Sequence, residues 1–276
     1  TLLNFNQYWE TLRPSRELLA QSNQFFTKNC KPQILTSVTK FRDFLSTEVP
    51  EVAFVGRSNV GKSSLLNALL NLDLESALAR TSRAPGCTRT MNSYGIGPMH
   101  FGGVKKKRGS DGFKTIIGRE GVTIVDLPGY GEGSVAEWGY EIMKYLSKRK
   151  ELRRVFVLVD SLHGLKGTDL ALLASLRQNG IPHQVILSKL DKVYIPNGTR
   201  ITRKTTRNGI KGSSNVTPRG TKKDLGKIMA NVKTQIKPKG EAGALGELLA
   251  CSSEILVNGQ HLGMDSVRYA VLQAVG

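Results

Sequence analysis

The residues Gly56-Arg57-Ser58-Asn59-Val60-Gly61-Lys62-Ser63 form a complete GxxxxGK[ST] run. Glycines at this spacing let backbone N–H groups turn inward around phosphate oxygens. A lysine at Lys62 reaches the outer phosphates, the Ser63 hydroxyl is placed to ligate Mg²⁺, and Ser64 adds a second hydroxyl beside it. Further along, Asp126-Leu127-Pro128-Gly129 offers a carboxylate for a metal-bound water and a Gly129 N–H for the γ-phosphate. In Ser188-Lys189-Leu190-Asp191, the Asp191 carboxylate can accept both N1–H and N2–H₂ of guanine, a paired contact that adenine cannot return. The stem of Lys189 can pack beside that base, and Ser252-Ser253 would complete its pocket. Taken singly, the second segment reads as a turn and the third as a solvated strand end. Their order along the chain is what makes them parts of one guanine-nucleotide site.

Groups this far apart in sequence must be carried by elements that converge. Residues 51–56 are a short apolar run ending in glycine, read as a buried strand, and 65–72 follow with helical periodicity. Residues 121–126, 154–160 and 184–188 read as further buried strands, with helices at 136–150 and 168–178 between them. A last strand at 248–251 and a last helix at 265–274 complete the series. Strands alternating with helices predict an α/β fold with a mostly parallel sheet covered on both faces, the fold of a P-loop NTPase. We expect an N-terminal leader over 1–48 and a nucleotide-binding domain over 49–276, interrupted by insertions at about 97–120 and 195–240.

The insertions stand out by charge. The chain carries 40 Lys+Arg against 22 Asp+Glu, a net charge of +18 over 276 residues. The 195–240 stretch holds 12 basic residues and a single acid, Asp224, and the 97–120 stretch contains Lys105-Lys106-Lys107-Arg108. Such an excess points to an anionic partner, nucleic acid before anionic membrane. The Gly, Ser, Thr and Asn content of the first half of 195–240 predicts disorder in the free chain, followed by a basic helix at 222–232. Cys30, Cys87 and Cys251 have no paired or metal-ligand spacing, which suits a reducing compartment. No apolar run approaches the roughly 20 residues of a membrane helix, so stable membrane insertion is not expected.

The finer motifs resemble the EngB (YihA/YsxC) family of ribosome-assembly GTPases, which are Ras-like. They are Glu51 to Asn67, Ala79 to Thr88, Asp126-Leu-Pro-Gly-Tyr-Gly131, Asp160-Ser-Leu-His-Gly164 and Ser188-Lys-Leu-Asp-Lys192. The resemblance covers about 34–274 apart from the insertions. It implies GTP binding and hydrolysis with Mg²⁺, and GTP-dependent association with rRNA and assembly intermediates of the large ribosomal subunit. By that resemblance Thr88 is the switch threonine that closes on Mg²⁺, with Thr90 a near alternative. Asn59 matches an asparagine that in related GTPases coordinates a potassium ion beside the phosphates, and Lys62, Thr88, Gly129 and Asn59 are the catalytic set. Tyr130 stands where many GTPases place a water-orienting glutamine, which implies slow intrinsic hydrolysis. Ser188 replaces the usual Asn or Thr, a change expected to weaken contact with the base.

Two other readings share these residues: an RNA-binding scaffold ordered by nucleotide with little hydrolysis, and a membrane-associated signalling GTPase. Off the ribosome the chain is expected to be monomeric. Its basic balance, its insertions and its start at Thr1 favour a mitochondrial matrix member over one of the bacterial cytoplasm.

Overall fold

The computed structural model describes residues 5–72, 90–110, 112–130, 136–197, 201–207, 210–237 and 244–276. In chain order the first elements are β1 (Gln7–Tyr8), α1 (Arg16–Gln24), β2 (Gln33–Val38) and β3 (Ser46–Thr47). Then come β4 (Glu51–Gly56), α2 (Lys62–Leu69), β5 (Met91–Ile96), β6 (Lys105–Arg108), β7 (Lys114–Ile117) and β8 (Val122–Asp126). The middle of the chain forms α3 (Ala136–Lys148), β9 (Leu152–Asp160), α4 (Gly167–Gln178) and β10 (His183–Ser188). The remainder is β11 (Ile201–Arg207), β12 (Ile210–Asn215), α5 (Lys222–Ile236), β13 (Glu247–Ala250), β14 (Ile255–Val257), β15 (Gln260–His261) and α6 (Met264–Val275).

Among the described residues, eight strands make the main sheet in the order β1-β13-β10-β9-β4-β8-β5-β2. Its centre, from β13 to β8, is parallel, while β5, β2 and β1 are antiparallel additions at the edges. Alternation along β4 explains why both faces are covered. Val52 and Phe54 point into a core shared with α2 and α6, through Leu65, Leu66, Val267 and Val271. Ala53 and Val55 point the other way, into a core shared with α3, α4 and α5, through Tyr145, Leu173 and Met229. Each large aliphatic or Phe side chain removed from water contributes about 1.5–3 kcal/mol, which is why strands buried on both faces read as unbroken apolar runs.

The P-loop helix α2 begins at Lys62, earlier than the apolar pattern suggests. Its first turn carries Lys62, Ser63 and Ser64, so apolar periodicity appears only from Leu65 onward. The helix ends at Leu69, where the buried Arg268 of α6 donates to the last carbonyls, Nη2 to Ala68 O at 2.9 Å and Nε to Leu69 O at 3.1 Å. Burial lowers the Arg268 pKa to about 10.

The leader is built into the sheet. β1 pairs with β13 and β2 with β5, so residues 5–38 reach both edges, and Lys237, just past α5, donates to Glu10 Oε1 at 2.6 Å.

Two expectations about the basic stretches need correction. Where composition predicts disorder, β11 and β12 form an antiparallel hairpin, and β11 also pairs with β14. The partner strand lies some 50 residues downstream, so local composition does not reveal it. The helix expected at 222–232 runs to Ile236 and is no appendage. Leu225, Met229, Val232 and Ile236 lie on one face, all buried, making α5 the crossover between β10 and β13. Asp224, the one acid of the stretch, serves this helix: Thr221 and Asp224 cap its N-terminus reciprocally.

Candidate nucleotide site

The parallel strands β4, β8, β9 and β10 all end on one side of the sheet, with β4 lying between β8 and β9. Ligands in open α/β sheets bind outside the carboxyl ends of such strands, where neighbouring connections run to opposite faces. The turn from β4 into α2 begins at Gly56, with Asn59 (φ 64°) and Gly61 (φ +91°) both in the left-handed region. A side chain is strained at Gly61, and the turn that points backbone N–H groups into the loop depends on that conformation.

The Asp126-Leu-Pro-Gly segment lies directly against this loop. Tyr130 N donates to Gly56 O at 3.3 Å and Ser58 N donates to Tyr130 O at 3.1 Å. A Cβ on Gly129 would sit 3.2 Å from both Ser58 N and Ser58 Cα. Gly129 is therefore the residue that lets the two segments approach. At the centre, the Lys62 ammonium donates to Asp126 Oδ1, with side-chain exposures of only 8% and 2%. Burial raises the Asp126 pKa, and the Lys62 charge and hydrogen bond oppose that rise. Ser63 and Ser64 follow, both half-buried, in the first turn of α2.

The Ser188-Lys-Leu-Asp segment closes the other side. Ser188 Oγ donates to Val60 O at 2.7 Å, so the serine is spent on the P-loop rather than on a base. Lys189 lies alongside Gly61, its Cε 3.6 Å from where a Gly61 Cβ would be, and its Nζ reaches Asp160 Oδ2 at 2.8 Å. Burial pushes the Asp160 carboxyl up, but the Lys189 hydrogen bond and the Leu162 N–H outweigh it and hold the pKa below its usual value. Ser252, fully buried, donates to Asp191 Oδ1 at 2.7 Å, fixing the direction of that carboxylate, while Ser253 is half-buried beside it.

The structure thus brings together Gly56 to Ser64, Asp126, Gly129, Ser188, Lys189, Asp191, Ser252 and Ser253. Thr88 lies outside the described residues. Its alternative Thr90, just before β5, donates its hydroxyl to Asn92 Oδ1 at 3.1 Å. Asn59 is exposed at the mouth of the loop.

One buried group escaped the sequence reading. Asp169, 0% exposed on α4, accepts from Arg57 Nε at 3.0 Å and 3.2 Å, from the Tyr130 hydroxyl at 2.7 Å and from Lys166 N at 2.8 Å. Arg57 Nη2 also donates to Gly164 O at 3.3 Å. In sequence Asp169 looks like an ordinary acidic residue in the first turn of a helix. Nothing local announces that its partners lie 112 and 39 residues away. The Tyr130 hydroxyl is committed to this carboxylate, and burial together with the Asp169 charge raises its pKa strongly.

Residues 51–189 match the family model described as 50S ribosome-binding GTPase. The chain is 34% identical over 232 residues to a probable GTP-binding protein EngB of Bartonella quintana (strain Toulouse), covering 82% of this chain and 84% of the relative. Against the corresponding protein of Rhizobium etli (strain CIAT 652) it is 39% identical over 239 residues, 84% of this chain and 87% of the relative. Among solved structures it resembles a variant of Aquifex aeolicus Era bound to GDP·AlF4⁻, with a TM-score of 0.50 and 19% identity. That likeness concerns the fold alone; it covers 83% of this chain, which spans 57% of the length of the Era chain. The matched region contains the P-loop, Asp126 and the Ser188-Lys189 pair, and the alignments extend over most of both chains, so this chain belongs to the EngB family of P-loop GTPases.

Proposed function

We propose that this chain is a Mg²⁺-dependent GTPase whose nucleotide state governs its attachment, through rRNA, to an assembling large ribosomal subunit. The observation that carries the reading is the convergence of Lys62, Asp126 and the Ser252-held Asp191 around one P-loop, at the ends of parallel strands. The donor set fits magnesium: a hydroxyl and a buried carboxylate beside a phosphate cradle suit a hard cation that keeps most of its waters. Held by Ser63, Thr88 and a water on Asp126, the ion would neutralise negative charge that develops on the phosphates during transfer.

The chain's own residues then divide the work. With nucleotide bound, Lys62 would turn from Asp126 to the β- and γ-phosphates, and the freed Asp126 carboxylate would be available to the magnesium site. Ser63 and Thr88 would hold the metal. Gly129 presents its N–H to the γ-phosphate, the P-loop N–H groups from Arg57 to Ser64 cradle the remaining oxygens, and Asp191 selects guanine. Ser188 maintains the link between the guanine segment and the P-loop. The Tyr130 hydroxyl, engaged by Asp169, does not orient water as a glutamine would, so intrinsic hydrolysis is slow. That same engagement favours a second reading, a nucleotide-ordered RNA scaffold with little turnover.

Asn59 is exposed at the loop mouth and makes no hydrogen bond within the described residues, so its amide oxygen suits a weakly hydrated potassium ion. Hydrolysis measured in KCl and in NaCl is expected to differ by about tenfold or more, on the scale of one charge-stabilising contact in the transition state. Equal rates would remove Asn59 from catalysis.

The whole reading is tested by co-sedimentation with ribosomal particles. The chain loaded with a non-hydrolysable GTP analogue should travel with large-subunit precursors, and the GDP-loaded chain should stay at the top of the gradient as a monomer. Equal distribution in both states would sink the switch model and leave the scaffold. The relatives compared are bacterial, which supports a bacterial cytoplasmic setting. The mitochondrial matrix reading rests on the basic balance and the insertions.

A further inference from the structure

Among the described residues, the strand β6 is the outer strand of a small sheet ordered β3-β7-β6, with one of its edges unpaired in that sheet. Its whole sequence is Lys105-Lys106-Lys107-Arg108, and all four residues are exposed. An edge strand is commonly protected by a single lysine or a proline. Here four consecutive cations occupy the edge, although lysine is disfavoured in strands. The pairing makes this costlier, because Arg108 stands directly opposite Lys114 on β7, a like-charge cross-strand pair. The hairpin is nonetheless anchored. Ile116 of β7 is buried with Val104, Leu35 and Val49.

Two features say what would relieve this crowding of charge. Side chains alternate along a strand, so Lys105 and Lys107 point to one side while Lys106 and Arg108 point to the other. Cations spread over both sides of an edge suit a polyanionic strand that follows the edge, whereas a flat bilayer would meet one side only. At the tip, Phe113 is 74% exposed, and at the base Phe101 is 37% exposed with the Arg119 guanidinium 4.7 Å from its ring centroid. Basic side chains for phosphates with exposed rings for stacking are the composition of a single-strand nucleic acid surface.

We infer that the β6–β7 hairpin, through Lys105, Lys106, Lys107, Arg108 and Phe113, is a binding surface for single-stranded RNA. The inference rests on the RNA-directed reading above and gives it a location. The hairpin leads into the amino end of β8, whereas Asp126 and the nucleotide site lie at its carboxyl end. The two sites can therefore be altered separately.

The test uses the full chain and a fluorescein-labelled single-stranded RNA 20-mer of mixed sequence, titrated at several KCl concentrations. In the quadruple variant Lys105→Gln, Lys106→Gln, Lys107→Gln and Arg108→Gln, the slope of log K against log salt should flatten by about 0.7 for each phosphate that the hairpin no longer neutralises. A flattening of about two to three is expected, with GTP affinity unchanged as evidence of folding. Phe113→Ala should instead weaken binding by about five- to a hundredfold, the range for one stacked base, and leave the slope as it was. If the wild-type chain binds this RNA and neither variant changes affinity or slope, the hairpin is not the surface. If the wild-type chain does not bind it in any nucleotide state, the RNA-directed reading falls and this inference with it. Hairpin-dependent binding to phosphatidylserine vesicles but not to RNA would overturn the inference in favour of a membrane.

Discussion

Lys62→Ala is expected to lower GTP affinity by about thirty- to several-thousandfold, the effect of truncating one member of a buried, hydrogen-bonded charge pair. The lysine is 8% exposed and its ammonium has one carboxylate partner, Asp126, within the described residues. Its removal would leave that carboxylate buried without its partner, which ordinarily costs several kcal/mol. Burial already raises the Asp126 pKa, however, and Lys62 supplies both influences that lower it. Without the ammonium, Asp126 takes up a proton more readily, so the drop in stability is limited and the main effect falls on nucleotide binding. Equilibrium titration with a fluorescent GTP analogue measures the affinity, and a thermal melt without nucleotide separates it from unfolding. On the switch reading the same variant no longer associates stably with large-subunit precursors. A variant that could not bind nucleotide but sedimented normally with those particles would show that attachment does not depend on the P-loop.

The second large effect concerns stability and lies at the opposite end of β4. Glu51 opens the strand with a 0% exposed side chain. Arg149 donates to it through Nη2 at 2.8 Å and Nε at 3.0 Å, Tyr145 adds its hydroxyl at 2.9 Å, and Arg149 Nη2 also reaches Leu45 O at 2.9 Å. Burial pushes the Arg149 guanidinium pKa down, but the hydrogen bonds and charge of Glu51, joined by the nearby Glu151 charge, reverse this and hold it above its usual value. Arg149→Met should destabilise the fold by about 3–5 kcal/mol, because it strands a carboxylate in the core. At about 2–4 °C per kcal/mol for a chain of this size, the melting temperature falls by ~10 °C. The double variant Arg149→Met, Glu51→Gln should recover much of that stability, since the penalty comes from the unpaired charge rather than from the absent bridge. A destabilisation below about 1 kcal/mol in the single variant, measured by urea unfolding, would mean that water already reaches Glu51.

These two effects differ in how far they can be read along the chain. Lys62 is legible because P-loop chemistry is local: eight consecutive residues form the cradle, and their types state their task. Arg149 and Glu51 are not legible as a pair, because 98 residues separate them and each is unremarkable where it stands. The same contrast runs through the site. The Asp126, Ser188 and Asp191 segments are recognisable because each follows an apolar run that must end at one side of a parallel sheet. The Arg57–Asp169–Tyr130 group is assembled only when the β9–α4 connection folds against the P-loop.

What the sequence by itself determined is the chemistry carried by short runs at strand ends: a triphosphate cradle from Gly56 to Ser64, a metal-directed carboxylate at Asp126 and a guanine acceptor at Asp191. Strand periodicity added the parallel α/β frame around them. Only the tertiary structure decided that Ser188 spends its hydroxyl on Val60 O and that Tyr130 is held by Asp169. It likewise decided that the leader adds strands to both edges of the sheet, and that β11 and β12 pair with one another. The physical reason is the same in each case. A hydrogen-bond partner far along the chain is chosen by register and packing, and neither is encoded in the few residues on either side.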